Sequence, residues 1–201
     1  MYSRKEGDYM KLLMIRHGEP CYANVRDLNL VPYLAELTPR GIAQAEAVAK
    51  DERLKDADII VASPFTRALQ TAAIISRETK IPLTVEPAFH EILLDVGHRC
   101  SNIPFYAKES YKEFVRNKGV RNKDCLYRWE SLEHIVNRAY PAMMKYLEYD
   151  KVIVVAHSVL IRAFGYNDAD LKNCDIFERE FDVNSKFEDF VAWEPSSKSK
   201  K

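Results

Sequence analysis

The run KVIVVAH at residues 151–157 constrains the fold more than any other stretch of the chain. Residues 152–156 are all apolar, and all but Ala156 are β-branched, with no polar residue between them. A strand of that kind is buried on both faces, and such strands belong to parallel sheets sandwiched by helices. KLLMI (11–15) and ADIIVAS (57–63) share the character, and IPLTVEP (81–87) is a shorter strand candidate. Helical patterns lie between them. LTPRGIAQAEAVAKDERL (37–54) begins with Thr38 as an expected N-cap and Pro39 in the first turn. SPFTRALQTAAIISRE (63–78) repeats that start signal with Ser63 as the expected cap, and VLIRAFGY (159–166) follows the strongest strand. The alternation predicts an α/β fold in three layers, a mostly parallel central sheet with helices on both faces.

Residues 93–129 break this rhythm. They are rich in Tyr, Phe, Lys, Arg and Asn and hold one amphipathic piece, FYAKESYKEFVRNK (105–118). They are expected to form a cap segment inserted over one end of the sheet. ESLEHIVNRAYPAMMKYLE (130–148) resumes as a long helix that should bend near Pro141, where proline lacks a donor. KFEDFVAWE (186–194) alternates like an edge strand that could pair across a homodimer, and residues 196–201 read as a disordered tail. The expected organisation is a single domain over residues 1–195.

Composition narrows the partners. Thirty Lys and Arg balance thirty Asp and Glu, so no global field draws the chain to nucleic acid or to an anionic membrane. No apolar stretch approaches the roughly 18 residues of a membrane span, and residues 1–11 lack the apolar region of a signal peptide. Cys21, Cys100, Cys125 and Cys174 are scattered, with neither paired nor metal-ligand spacing. A cytoplasmic protein with reduced thiols is the expectation, and any anion recognition has to be local.

Ligands of parallel sheets bind beyond the carboxyl ends of the strands, where helix N-termini also point. Three strand candidates deliver cation-capable residues to that end: Arg16 and His17 after the first, Arg67 after the second, His157 after the last. Converging on one pocket, they would specify a compact polyanion such as phosphate, which a guanidinium grips with two parallel hydrogen bonds. Each also has a structural reading. A histidine after a strand is commonly a satisfied core group, and an arginine early in a helix is commonly solvated or ion-paired. The residues alone leave both readings open.

LLMIRHGEP (12–20), LTPRGIAQA (37–45), ASPFTRALQTA (62–72), ESLEHIVNR (130–138) and VVAHS (154–158), in this order and spacing, resemble the histidine phosphatase superfamily, the phosphoglycerate mutase-like proteins. The resemblance implies that His17 is the nucleophile and carries the phosphoryl group as phosphohistidine. It implies that Arg16, Arg67 and His157 hold the phosphate oxygens, and that Gly18 lets the backbone approach the phosphate. In EPAFHEILLD (86–95) it makes Glu91 the general acid, with Asp95 as the alternative. The branch resembling acid phosphatases and phytases carries its acid directly after the second histidine, where this chain has Ser158. No metal and no cofactor is implied, because arginines neutralise the charge.

The chain also departs from the pattern. Pro20 and Ala23 stand where the family commonly has Thr and Asn, leaving Asn24 as the candidate phosphate-binding asparagine. LLDVGHRCSNIP (93–104) replaces a Gly-Trp-Glu-Gly-like segment, so His98, Arg99, Tyr106, Lys108 and Tyr111 of the insertion become candidate contacts to the leaving group. Mutases of this family tend to carry a larger insertion, which favours water as the acceptor here. The expected activity is hydrolysis of a small-molecule phosphomonoester. A mutase, a protein phosphatase and a non-catalytic relative that binds a phosphorylated ligand are the alternatives.

Overall fold

The computed structural model describes residues 9–24, 31–96, 103–166 and 170–185. The chain runs β1 (Met10–Arg16), β2 (Pro20–Cys21), α1 (Val31–Leu34), β3 (Glu36–Leu37), α2 (Pro39–Val48), β4 (Ile59–Ala62), α3 (Thr66–Thr79) and β5 (Leu83–Val85). It continues with α4 (Ile103–Arg116), α5 (Leu132–Met144), β6 (Lys151–Ala156), α6 (Ser158–Ala163) and β7 (Ile176–Phe181). Short 3₁₀ turns lie at Glu52–Leu54 and Pro87–Phe89.

Five strands form one sheet in the order β5-β4-β6-β1-β7. All neighbours are parallel except β7, which runs antiparallel to β1, with Leu12 opposite Arg179 and Met14 opposite Phe177. β6, the run that most constrains the sequence, lies at the centre between β4 and β1. Its alternate residues feed two cores. Val152 and Val154 join Leu12, Met14 and Trp129 on the face covered by α5 and α6, while Ile153 and Val155 join Leu13, Ile15, Ile60 and Ile75 on the other. All five apolar residues of β6 from Val152 on are fully buried, and each Val or Ile contributes about 1.5–3 kcal/mol relative to exposure.

Local signals explain the helix starts in part. Thr38 is the N-cap of α2, its Oγ1 accepting from Gly41 N at 2.9 Å. Ser63, expected to cap α3, does not. That helix begins at Thr66 with Phe65 in the cap position and no side-chain cap bond. The Ser63 hydroxyl instead bonds to His157 Nε2 at 2.7 Å and accepts from Phe65 N at 3.3 Å. The sheet's antiparallel edge is β7, which the sequence pattern does not announce. The edge strand expected at residues 186–194, the dimer contact assigned to it and the tail lie outside the described residues. Pro141 lies inside α5, which continues to Met144.

In the stretch between β5 and α5, α4 is tied to the loop after it by the buried Glu113. Its carboxylate accepts from Leu126 N and Tyr127 N, both at 3.0 Å, and from Trp129 Nε1 at 2.9 Å. Burial raises this carboxyl, but those three donors and Arg116 outweigh it and hold the group below its ordinary value. Phe114 packs edge-on against Trp129, with ring centroids 5.4 Å apart, and joins the segment to the α5 core.

Candidate active site

The carboxyl ends of β1, β4 and β6 bring Arg16, His17, Arg67 and His157 together, as the motif spacing predicts. His17 N donates to Ala156 O at 3.0 Å, locking the end of β1 to β6. Behind it, Asn173 Nδ2 donates to His17 O at 2.8 Å. Gly18 N donates to Thr71 Oγ1 at 3.0 Å, and that hydroxyl donates to Arg67 O at 2.7 Å.

Packing gives Gly18 a requirement of its own, beside the one the resemblance implies. A Cβ there would sit 2.5 Å from Gly41 O, and a Cβ on Gly41 would sit 2.3 Å from Glu19 O. Two backbones touch at this point, so the glycines serve the packing of the first turn of α2 against the loop after β1.

The hydrogen bonds define the histidine tautomers, because a guanidinium can only donate. Arg67 Nε donates to His17 Nε2 at 3.0 Å, so His17 carries its proton on Nδ1 and gives it to Gly18 O at 2.7 Å. Arg67 Nη2 donates to His157 Nδ1 at 3.1 Å, so His157 carries its proton on Nε2 and gives it to Ser63 Oγ at 2.7 Å. The two rings meet edge to face, centroids 5.1 Å apart.

Burial, with Arg67 and Arg16 adding to it and the Gly18 carbonyl opposing, pushes His17 down to about 3. Burial and Arg67 hold His157 well below its usual value too. Both imidazoles are therefore neutral, and the charge expected of four groups rests on two arginines. Arg16 tolerates His17 beside it in this state because His17 is uncharged.

Arg16 has unspent capacity. Its Nη1 donates to Leu171 O at 2.6 Å, yet its Nε is buried without a hydrogen-bond partner among the described residues. An orphaned buried donor on a cation costs about 1–3 kcal/mol or more, which an anion beside it would relieve. Burial pushes Arg67 below its ordinary value, with Tyr22 and Glu91 opposing. Its guanidinium carbon lies 5.2 Å from the centre of the Phe65 ring.

Glu91 follows the Pro87–Phe89 turn and enters the same site. Its Oε1 accepts from Ile92 N at 2.9 Å and its Oε2 from Val159 N at 3.3 Å. Burial raises its carboxyl above the ordinary value; the two amides, Arg67 and Arg138 oppose without reversing this. Asp95, the alternative acid, acts on the phenol of Tyr33, whose value is raised by burial and by that carboxylate.

The remaining candidates divide. Asn24 sits on an exposed turn with no bond to the site among the described residues, so the structure does not bring it in. Tyr106 OH accepts from Arg128 N at 3.0 Å and its ring packs on Tyr127, a structural role. Lys108 is exposed on α4. Tyr111, also on α4 and 39% exposed, stacks on Phe114 and lies near enough to Glu91 that partial burial and that carboxylate raise its phenol while Arg162 and Arg16 oppose. His98 and Arg99 lie outside the described residues. Asn173 and Tyr22 carry no signal in the sequence, and Ser63 and Thr71 lie in the ASPFTRALQTA stretch but show their partners only in the folded chain. Among the described residues no three His, Cys, Asp or Glu side chains gather as a metal site, and no helix there is long and apolar enough to cross a membrane.

Residues 12–180 match the profile of the histidine phosphatase superfamily (branch 1), and the chain belongs to that family. It is 28% identical over 157 residues to "Putative phosphoserine phosphatase 2" of Hydrogenobacter thermophilus, covering 76% of this chain and 75% of that one. Solved structures with the same fold include a mycobacterial glucosyl-3-phosphoglycerate phosphatase in complex with inorganic phosphate, with a TM-score of 0.57 and 21% identity over 76% of this chain and 75% of that one. A phosphoglycerate mutase from Bacillus anthracis reaches a TM-score of 0.63 at 15% identity, over 94% of this chain and 93% of that one.

Proposed function

We propose that this protein hydrolyses a small phosphomonoester through a phosphohistidine on His17, without a metal. Membership of the histidine phosphatase superfamily, and the phosphatase named in Hydrogenobacter, support the phosphoric monoester hydrolase class. The observation that carries the mechanism is the state of His17: neutral, with its proton fixed on Nδ1 and its Nε2 lone pair turned to Arg67.

An incoming phosphoryl group takes over the Arg67 donors and the orphaned Arg16 Nε, leaving Nε2 to attack phosphorus. The bond from phosphorus to the ester oxygen breaks, and the protonated Glu91 carboxyl gives its proton to the leaving alkoxide. Glu91, now a carboxylate, takes a proton from water as that water attacks phosphorus. The phosphorus–nitrogen bond breaks, returning neutral His17 and inorganic phosphate. His157 Nδ1 is an acceptor in this structure. It becomes a donor to a phosphate oxygen by taking a proton, which the adjacent dianion favours.

The test is a screen of p-nitrophenyl phosphate with sugar, glycerate, amino-acid and nucleotide phosphates and phosphopeptides, in the presence of a chelator. Turnover that survives chelation and disappears in His17→Ala is expected. Turnover abolished by the chelator, or retained in His17→Ala, would overturn the mechanism.

A further inference from the structure

The ESLEHIVNR stretch belongs to the family pattern but supplies no group to the chemistry above. Its first and last residues form the most extensively bonded buried ion pair among the described residues. Arg138 Nε donates to Glu130 Oε1 at 2.7 Å and its Nη2 to Glu130 Oε2 at 3.0 Å, the two side chains being 18% and 8% exposed. The pair's remaining capacity goes to one short segment of chain. Arg138 Nη1 donates to Ala88 O, and its Nη2 also donates to His90 O at 2.9 Å. Glu130 Oε2 accepts from Leu93 N at 3.2 Å, and Glu130 N donates to Leu93 O at 2.8 Å.

Every one of these contacts flanks Glu91, and none touches its carboxylate. The segment they hold has no regular secondary structure after Phe89. The Glu91 carboxylate itself accepts only two amide bonds among the described residues, one of them 3.3 Å long. His90 adds a third tether: its Nδ1 bonds to Glu91 O at 2.7 Å, and its ring stacks on Phe65, which packs edge-on against His157.

We infer that Arg138 and Glu130 are positioning residues for the proton donor, clamping residues 88–93 so that the Glu91 carboxyl reaches the leaving-group oxygen. The inference rests on the proposed role of Glu91. A clamp of this kind matters in proportion to how badly the leaving group needs its proton. An alkoxide needs the proton as the bond breaks, and p-nitrophenolate leaves without one. A general acid contributes roughly 10²–10⁴-fold where it is needed, so a displaced donor costs alkyl phosphates much and p-nitrophenyl phosphate little.

The experiment compares kcat/KM for a preferred alkyl phosphate and for p-nitrophenyl phosphate in the wild type, Arg138→Lys and Glu91→Gln. Lysine keeps the charge but cannot bond Glu130, Ala88 and His90 together. Because breaking a buried pair can unfold a protein, the double variant Glu130→Gln with Arg138→Met, neutral and close in volume, is run through the same comparison. Arg138→Lys, or the double variant if the single one melts early, is expected to lose on the order of 10-fold or more on the alkyl ester, and several-fold less on the aryl ester. Glu91→Gln should show the same split, larger. A split in Glu91→Gln with a uniform loss, or no loss, in the clamp variants overturns the inference and leaves the role of Glu91 standing. No split in Glu91→Gln overturns that role and the inference with it.

Discussion

In the proposed mechanism His17 attacks phosphorus only while Nε2 keeps its lone pair, a state favoured by burial of the ring beside two guanidiniums. That arrangement has a thermodynamic consequence. His17 titrates near 3 in the folded protein, and His157 is also held far down. In the unfolded chain both return to about 6.5. As pH falls below about 6.5 the unfolded state binds protons that the folded state refuses, so stability is present above that pH and is lost on acidification. Between about pH 6 and 5, urea titrations should show the unfolding free energy dropping by up to about 2.7 kcal/mol per pH unit, the slope for two protons. A flat profile there would mean that the imidazoles titrate normally. Ser63 is the other residue whose job is visible only in the fold. Ser63→Ala strands the His157 Nε2–H in the interior, and a loss of about 1–3 kcal/mol is expected in a denaturant melt, with kcat falling alongside. An unchanged melt would show that another acceptor takes the proton.

At the scale of elements, the site depends on close approaches that ordinary side chains would block. The loop after β1 meets the first turn of α2 at Gly18 and Gly41, with no room for a Cβ on either. Gly41→Ala should therefore cost about 3 kcal/mol, in the range of overpacking against backbone that cannot yield, read as a shifted midpoint at constant slope in urea. Neutral behaviour would mean that α2 can move away. This contact also marks a limit of the sequence. RHG announces a glycine, but its partner lies 23 positions further on and nothing local links the two. Thr38 was legible because a cap bonds within its own turn; Ser63 was not, because its hydroxyl goes to a histidine brought in from β6. β7 is hidden because IFEREF alternates charge like a surface loop, and only its pairing with β1 makes it an edge strand. The ends of β1, β4 and β6 were readable because long apolar runs stop abruptly at Arg16, Ser63 and His157. The neutrality of the two histidines was not, since charge state depends on burial that no linear pattern reveals.

Across the whole molecule, the two cores meet on the sheet, and the proposed anion site lies where β1 and β6 end side by side. Ligand binding there should stabilise the entire cooperative unit. Inorganic phosphate or vanadate at about 100 times its Kd adds about 2.7 kcal/mol, which for a chain of this size raises Tm by roughly 5–10 °C. Arg16→Ala removes the orphaned donor and should abolish most of that rise in the same thermal scan; a full rise in Arg16→Ala would place the anion elsewhere.

The most direct test of the account is to trap the phosphoryl group on the enzyme. A labelled phosphomonoester is mixed with excess protein, quenched within one turnover in base, and the label located by peptide mapping. The account predicts acid-labile, base-stable label on His17, absent in His17→Ala. In Glu91→Gln it should accumulate whenever an aryl ester is the donor, because the second step loses its base. Turnover without any histidine-bound label, or label on another residue, would contradict it.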